Sequence, residues 1–287
     1  MTTECLLLVP AQYIEPFNNN TPADSDYWPC FDGNPGERGG KDIQDDEIEV
    51  RFGSNVSGNY AFFNVSEAVD DLRLSLQIDT GGGYADITAA GFYAETPGDW
   101  TSPTSKYLEN DSGATINDEA VLIELETAAN TGVKFQFAWE EPGAGAAYET
   151  FFWNLVLAEG ISLPPWSLEH TRGLSAPSGL IPGRALGAGL FPSFRKVDNA
   201  KTLRRRSFRF SGLTDAQIAT AEELISGLAG AVQPVILAKL TDDVTGGIYS
   251  AEFFSILIET NNVSIGRSPD KTWGLTLPSF VLERGTS

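Results

Sequence analysis

The sequence predicts a mainly β protein: an N-terminal β-sandwich of jelly-roll type, then a C-terminal α+β module with one helix packed on an antiparallel sheet. Three observations carry this. Short segments with an apolar residue at every second position recur through the first half. Turn residues, with 29 glycines and 16 prolines among 287 residues, separate them. Only one stretch, around residues 214–228, joins helical apolar spacing to a helix start signal.

In chain order, residues 6–13 read as a first strand closed by Glu15-Pro16. Residues 17–41 carry Asn18-Asn19-Asn20, Tyr27, Trp28 and Phe31 among prolines and glycines, which describes a long loop. Trp28 and Phe31 there plug one end of the sandwich, or Tyr27 and Trp28, with Trp100, offer rings for sugars to stack on. Residues 47–52 alternate cleanly, and residues 71–79 place Leu72, Leu74, Leu76 and Ile78 inward. Gly81-Gly82-Gly83 makes a turn, and residues 84–93 run back. Residues 120–126 and 133–139 each show one apolar face, the second with Val133, Phe135, Phe137 and Trp139. Residues 150–158 are apolar throughout, as for a strand buried on both faces. The sandwich therefore spans residues 1–163. Pro164-Pro165, Pro177, Pro182 and frequent glycines make residues 164–189 an extended connector. Residues 190–287 form the second module, opening with a hairpin of residues 190–197 and 201–211 across Asp198-Asn199.

The module then reads as strand, helix and three strands. Arg206-Ser207-Phe208-Arg209-Phe210-Ser211 puts Phe208 and Phe210 on one face and Arg209 on the other, and Gly212 breaks the pattern. Thr214 caps a helix, Gln217 closes a capping box, and Leu213 and Ile218 form a staple. Ile218, Ala221, Leu224, Ile225 and Leu228 make the stripe that faces the sheet, and Gly230 lies past the end. Residues 235–240, 248–258 and 273–282 are the closing strands, with Asn261-Asn262 and Ser268-Pro269-Asp270 as turns. This order of elements resembles the C-terminal half of tailed-phage tail proteins. The likeness covers the last third of the chain: a strand into a short capped helix, a strand after proline, a tip like Asp242-Asp243-Val244-Thr245-Gly246-Gly247, and a final strand like Trp273-Gly274-Leu275-Thr276-Leu277.

The resemblance implies a distal tail or minor tail protein of the tail tip or baseplate. It implies a ring homo-oligomer around the tail channel, hexameric or trimeric, between tail tube and baseplate hub proteins. Its place would be the virion, after assembly in the host cytoplasm, with DNA only in transit and no membrane insertion. Between Arg195 and Arg209, seven of fifteen residues are Lys or Arg. Arg204, Arg206 and Arg209 are accordingly the candidate subunit interface, opposed by Glu222 and Glu223 or by Asp242 and Asp243.

Composition narrows the chemistry. The net charge is −20, and residues 1–165 hold 28 acidic against 6 basic residues. That concentration disfavours nucleic acid and anionic lipid as partners of the first half. No run reaches the ~20 apolar residues of a membrane span, and residues 6–9, without a basic region ahead, predict no secretory leader. Cys5 and Cys30 are expected to stay reduced. With His170 as the only histidine, no Cys/His metal site or histidine-dependent nucleophile is expected. No P-loop, dinucleotide fingerprint or G-x-S-x-G elbow is present. Asp24, Asp26 and Asp32 with Asn34 offer oxygen ligands for calcium or form a solvated acidic loop, the expected reading, since their spacing does not match an EF-hand loop. The expectation is a non-enzymatic structural protein without cofactor or metal. A host-surface carbohydrate-binding adhesin is the alternative, and a polysaccharide-degrading enzyme working through two carboxylates is a further one.

Overall fold

In the computed structural model the described residues are 4–11, 15–18, 21–22, 30–31, 33, 35, 39–41, 46–57, 59–65, 73–79, 81–86, 89–94, 100–101, 108–110, 120–126, 131–140, 150–169, 180–184, 192–196, 204–228, 233–242 and 249–282. They are mainly β, with one α-helix and almost entirely antiparallel pairing. The strands are β1 (Glu4–Pro10), β2 (Glu15–Asn18), β3 (Thr21–Pro22), β4 (Gly39–Lys41), β5 (Asp46–Ser57), β6 (Tyr60–Val65), β7 (Arg73–Asp79), β8 (Tyr84–Asp86), β9 (Ala89–Ala94), β10 (Trp100–Thr101) and β11 (Leu108–Asn110). After them come β12 (Ala120–Leu125), β13 (Thr131–Glu140), β14 (Thr150–Leu163), β15 (Trp166–Glu169), β16 (Leu180–Arg184), β17 (Pro192–Lys196) and β18 (Arg204–Leu213). Helix α1 (Asp215–Gly227), β19 (Val235–Asp242), β20 (Tyr249–Ile258), β21 (Ser264–Arg267) and β22 (Trp273–Leu282) complete the chain.

The chain forms two compact units that interleave in sequence. One comprises 10–159, 241–252 and 285–287, the other 1–9, 160–240 and 253–284. In the first, β10, β11, β7, β13, β5, β2 and β3 lie side by side in that order, with β8 on β7, and a second set places β9, β12 and β6 beside β14. Both sets feed one core. Ile48, Val50, Leu74, Ile78, Phe135 and Phe137 come from the first set, and Phe63, Val121, Phe152 and Leu155 from the second. Aromatic rings meet edge-on within it, Phe63 against Phe137 at 5.5 Å and Trp139 against Phe152 at 5.0 Å between centroids. That geometry opposes the negative ring face to a positive edge. As the sequence predicts, Leu74, Leu76 and Ile78 point inward, and residues 152–158 of β14 are all buried. The run after the glycine turn does not return as one strand: β8 pairs with β7, whereas β9 pairs with β12. Phe31 and Cys30 of the expected loop are core residues.

In the second unit β22 is central. It pairs with β18 along its whole length, and on its other edge with β21 and then β20. The first strand belongs here, since β1 pairs with β19 from Glu4↔Leu240 to Leu8↔Ile236. Helix α1 closes the core through Ile218, Ala221, Ile225 and Leu228, with Leu224 half-buried. Its start is the predicted capping box. The Gln217 backbone N–H donates to Thr214 Oγ1 at 3.2 Å, and the Thr214 N–H donates to Gln217 Oε1 at 3.0 Å. Leu213 and Ile218 are both buried, as a staple requires.

Two expectations are corrected here. Gly212 does not end its strand; with φ +79 it sits in a bulge through which β18 continues to Leu213, a conformation that suits a residue without Cβ. The hairpin of residues 190–197 with 201–211 does not form, because β17 pairs with β16 and β18 pairs with β15 and β22. The reason is that Trp166 lies against Phe208 and Phe210, at 5.6 and 6.4 Å between centroids, so the aromatic face of β18 recruits β15.

Candidate functional site

Among the described residues, a dense polar arrangement lies on the side of β5, β13, β7 and β8 away from the core of the first unit. Alternation puts Ile48, Val50, Leu76, Ile78, Phe135 and Phe137 in the core, so Glu49, Arg51, Gln77, Asp79, Lys134 and Gln136 take the opposite face. Register lines them up in rows. Gln136 is opposite Glu49 on one side and Gln77 on the other, and Gln77 is opposite Asp86. In the next row Lys134 is opposite Arg51, and Asp79 is opposite Tyr84.

The rows are knitted by charge-assisted contacts. The Tyr84 hydroxyl and the Arg51 Nε–H both donate to the Glu49 carboxylate. The Gln77 Nε2–H donates to Asp86 Oδ1 at 2.6 Å. Asp79 accepts the Gly81 N–H at 2.8 Å and has Lys134 Nζ at 3.5 Å. Since β7 and β13 separate β8 from β5, the Tyr84 and Glu49 side chains together span the two strands between them. Gln136, opposite Glu49 and Gln77, is 7% exposed.

The electrostatics follow. Burial raises the Glu49 carboxyl, but the Tyr84 hydroxyl and the Arg51 guanidinium outweigh it and hold it below the usual carboxylate range. The Gly81 N–H, aided by Lys134, does the same for Asp79 despite a small opposing burial effect. Burial, then the adjacent Glu49 and Asp79 carboxylates, push the Tyr84 phenol up, so it stays a donor. Glycoside hydrolysis needs one carboxyl kept protonated near neutrality. Glu49 and Asp79 are both held below the usual carboxylate range rather than above it.

The arginines of the second unit are not gathered on one surface. Arg206 shares the phase of Phe208 and Phe210 and lies over the Phe254 ring, 5.6 Å from its centroid. Arg209 is in the opposite phase and exposed. The backbone of Arg204 pairs with Val281, and its side chain lies outside the described residues. Sequence reading passed over Arg205, in phase with Arg209. It pairs with Glu259, Nη2 to Oε2 at 2.6 Å and Nε to Oε2 at 2.8 Å. Glu222 and Glu223 are exposed on the helix. A shallow apolar groove beside the helix is lined by Glu222, Ile225, Ser226, Thr260, Val263 and Ile265.

Of the proposed stacking rings, Tyr27 and Trp28 lie outside the described residues, as do His170, Asp24, Asp26, Asp32 and Asn34. Trp100 pairs with Asn110 through its backbone at one edge of the β10–β3 sheet, with its side chain not described. Cys5 and Cys30 are free, buried thiols, and burial pushes Cys5 up to about 11. Among the described residues no group of three or more His, Cys, Asp or Glu could hold a metal ion, and no helix is long and apolar enough to cross a membrane.

No protein-family model, curated protein or solved structure matches the chain.

Proposed function

We propose that the chain is a non-enzymatic structural component of a phage tail tip or baseplate, a distal or minor tail protein that oligomerises as a ring around the tail channel. The observation that carries this reading is the second unit's order of elements. A strand runs into a helix locked by a capping box and staple, and the helix lies against an antiparallel sheet whose central strand is the last one, β22. That is the order on which the resemblance to tail proteins rests. In this reading residues 1–163 are an acidic jelly-roll-like sandwich, residues 164–189 a connector, and residues 190–287 the ring-forming module, whose sheet β1 extends. The shared core of the two strand sets in the first unit supports the sandwich.

The ring is a hexamer, or a trimer, of the virion tail, assembled in the host cytoplasm between tail tube and hub proteins, with DNA only in transit. Arg204, Arg206 and Arg209 are its interface candidates. Arg209 is exposed on β18, whereas Arg206 packs on Phe254, so the two phases of the strand are tested separately. Light scattering on the purified chain should give a closed oligomer. Arg209→Glu should return a monomer with unchanged circular dichroism, and Arg204→Glu with Arg206→Glu tests the other phase of the strand. A wild-type chain that stays monomeric at assembly concentrations overturns the reading.

A further inference from the structure

We propose that Asn64 and Asn154 act together as a register lock that fixes where the β-bulge of β14 falls against β6. The two residues stand directly opposite each other in that pair of strands. Asn154 is 0% exposed and Asn64 4%. The Asn64 Nδ2–H donates to Asn154 Oδ1 at 3.4 Å. The other two amide atoms, Asn64 Oδ1 and Asn154 Nδ2, are buried and have no hydrogen-bond partner among the described residues. Turning both amides over exchanges their roles and still leaves one acceptor and one donor unbonded. Their surroundings are apolar. Across β12 the row continues to Ala120, and the next row is Leu122, Phe62 and Val156, all buried. A half-satisfied polar pair in such a layer is weaker than an apolar pair; what it adds is discrimination between registers.

The bulge is what needs fixing. Phe152 pairs with Val65 and Asn154 with Asn64, so Trp153 is the extra residue between them. That extra residue lets Phe152 and Leu155 both face the core, together with Leu157, although strict alternation would put Phe152 and Leu155 on opposite faces. The core alone does not choose which residue is extra. With Asn154 in that role, Phe152 would still pair with Val65 and Leu155 with Phe63, and the same side chains would fill the core. Only the residue opposite Asn64 would change, from Asn154 to Trp153. The bond between the two carboxamides would then be lost, and both would stay buried without it. Losing a hydrogen bond inside an apolar layer costs more than the same loss in water, so the pair holds the extra position at Trp153.

The test is fluorine NMR on the full chain labelled with fluorotryptophan, with the Trp153 line assigned by its loss in Trp153→Phe. The wild-type chain should give a single Trp153 line. Asn64→Leu and Asn154→Leu each strand the opposite carboxamide, and each should lower the melting temperature by about 3 °C or more. Leucine keeps the branch at Cγ, so the double variant should recover most of that loss. Its Trp153 signal should split into two lines as both bulge positions become populated. If the leucine pair does not fold, Asn64→Ala with Asn154→Ala takes its place in the fluorine measurement. The proposal is overturned if the single leucine variants melt with the wild type, if their losses add in the folded double variant, or if the folded double variant keeps the single Trp153 line.

Discussion

Strand β7 in one unit and strand β18 in the other both alternate apolar and polar residues, yet their polar side chains meet different fates. On β7, Gln77 bonds to Asp86 and Asp79 is held by Gly81 and Lys134, all within a continuous patch of neighbouring strands. On β18 the cations disperse. Arg206 lies over Phe254 in the apolar phase, Arg205 reaches Glu259 from 54 positions away, and Arg209 is exposed. Alternation decides which face a side chain takes, and it does so equally well in both strands. Which partner a side chain finds depends on the strands beside it, a long-range property. On the outer face of the first unit those neighbours complement one another and concentrate polar chemistry at one place. In the second unit they spread it along the strand.

The largest expected effect separates the two units by stability. Ile225 is 7% exposed in the core of the helix-bearing unit. Ile225→Asp removes its apolar contacts and buries a carboxylate, which should destabilise that unit by roughly 3–5 kcal/mol. Hydrogen exchange should then speed up in β18 and β22 while β5 and β13 keep their protection. An equal loss in all four strands would mean that the units open together, and the comparison would have to be made between faces rather than units.

Next in size is the carboxylate on the polar face. Tyr84→Phe removes the phenol donor from Glu49 and should cost about 1.5–3 kcal/mol at neutral pH, the range for a hydrogen bond to a charged group. The sign with pH is fixed by linkage. Glu49 is held below its unfolded value, so its contribution is fully present above about 4.3, the ordinary glutamate pKa. It is lost as pH falls through the lower folded value. The variant's folded pKa should rise, and the difference in stability from wild type should shrink as the medium is acidified. A difference that stays constant from neutral pH down to about 3 would remove Glu49 as the partner that matters.

Much of this architecture was legible in the sequence where the signal is local. The capping box, the staple and the buried stripe of α1 lie within sixteen residues, Leu213 to Leu228, and depend on nothing distant. The inward faces of β7 and β13 follow from period two alone. What escaped is what tertiary pairing decides. The sequence of residues 190–211 favours a hairpin by proximity, but the ring faces of Phe208 and Phe210 pair β18 with β15 around Trp166 instead. The polar site was invisible for the same reason. Glu49, Gln77, Asp86 and Gln136 lie on four separate strands, and each alone is an ordinary outward residue of an alternating run. A cue was present in that residues 47–52, 71–79 and 133–139 all alternate with outward residues of paired hydrogen-bonding character, but register is needed to align them.

The smallest expected effect concerns Arg205 and Glu259, the ion pair that sequence reading passed over. The Arg205 side chain is 40% exposed and that of Glu259 21%. Both guanidinium contacts go to one carboxylate oxygen, Oε2, so the pair lacks the two-oxygen fork that makes arginine pairs strong. Solvent screening and the side-chain entropy of holding arginine in place offset much of the attraction. A double-mutant cycle with Arg205→Ala and Glu259→Ala should therefore give a coupling of about 0.2–1 kcal/mol, falling as salt rises from about 0.1 to 1 M. A coupling above about 2 kcal/mol that salt leaves unchanged would mark the pair as shielded from solvent. The arginines of β18 would then resemble the tightly partnered carboxylates around Gln136, and the contrast between the two strands would close.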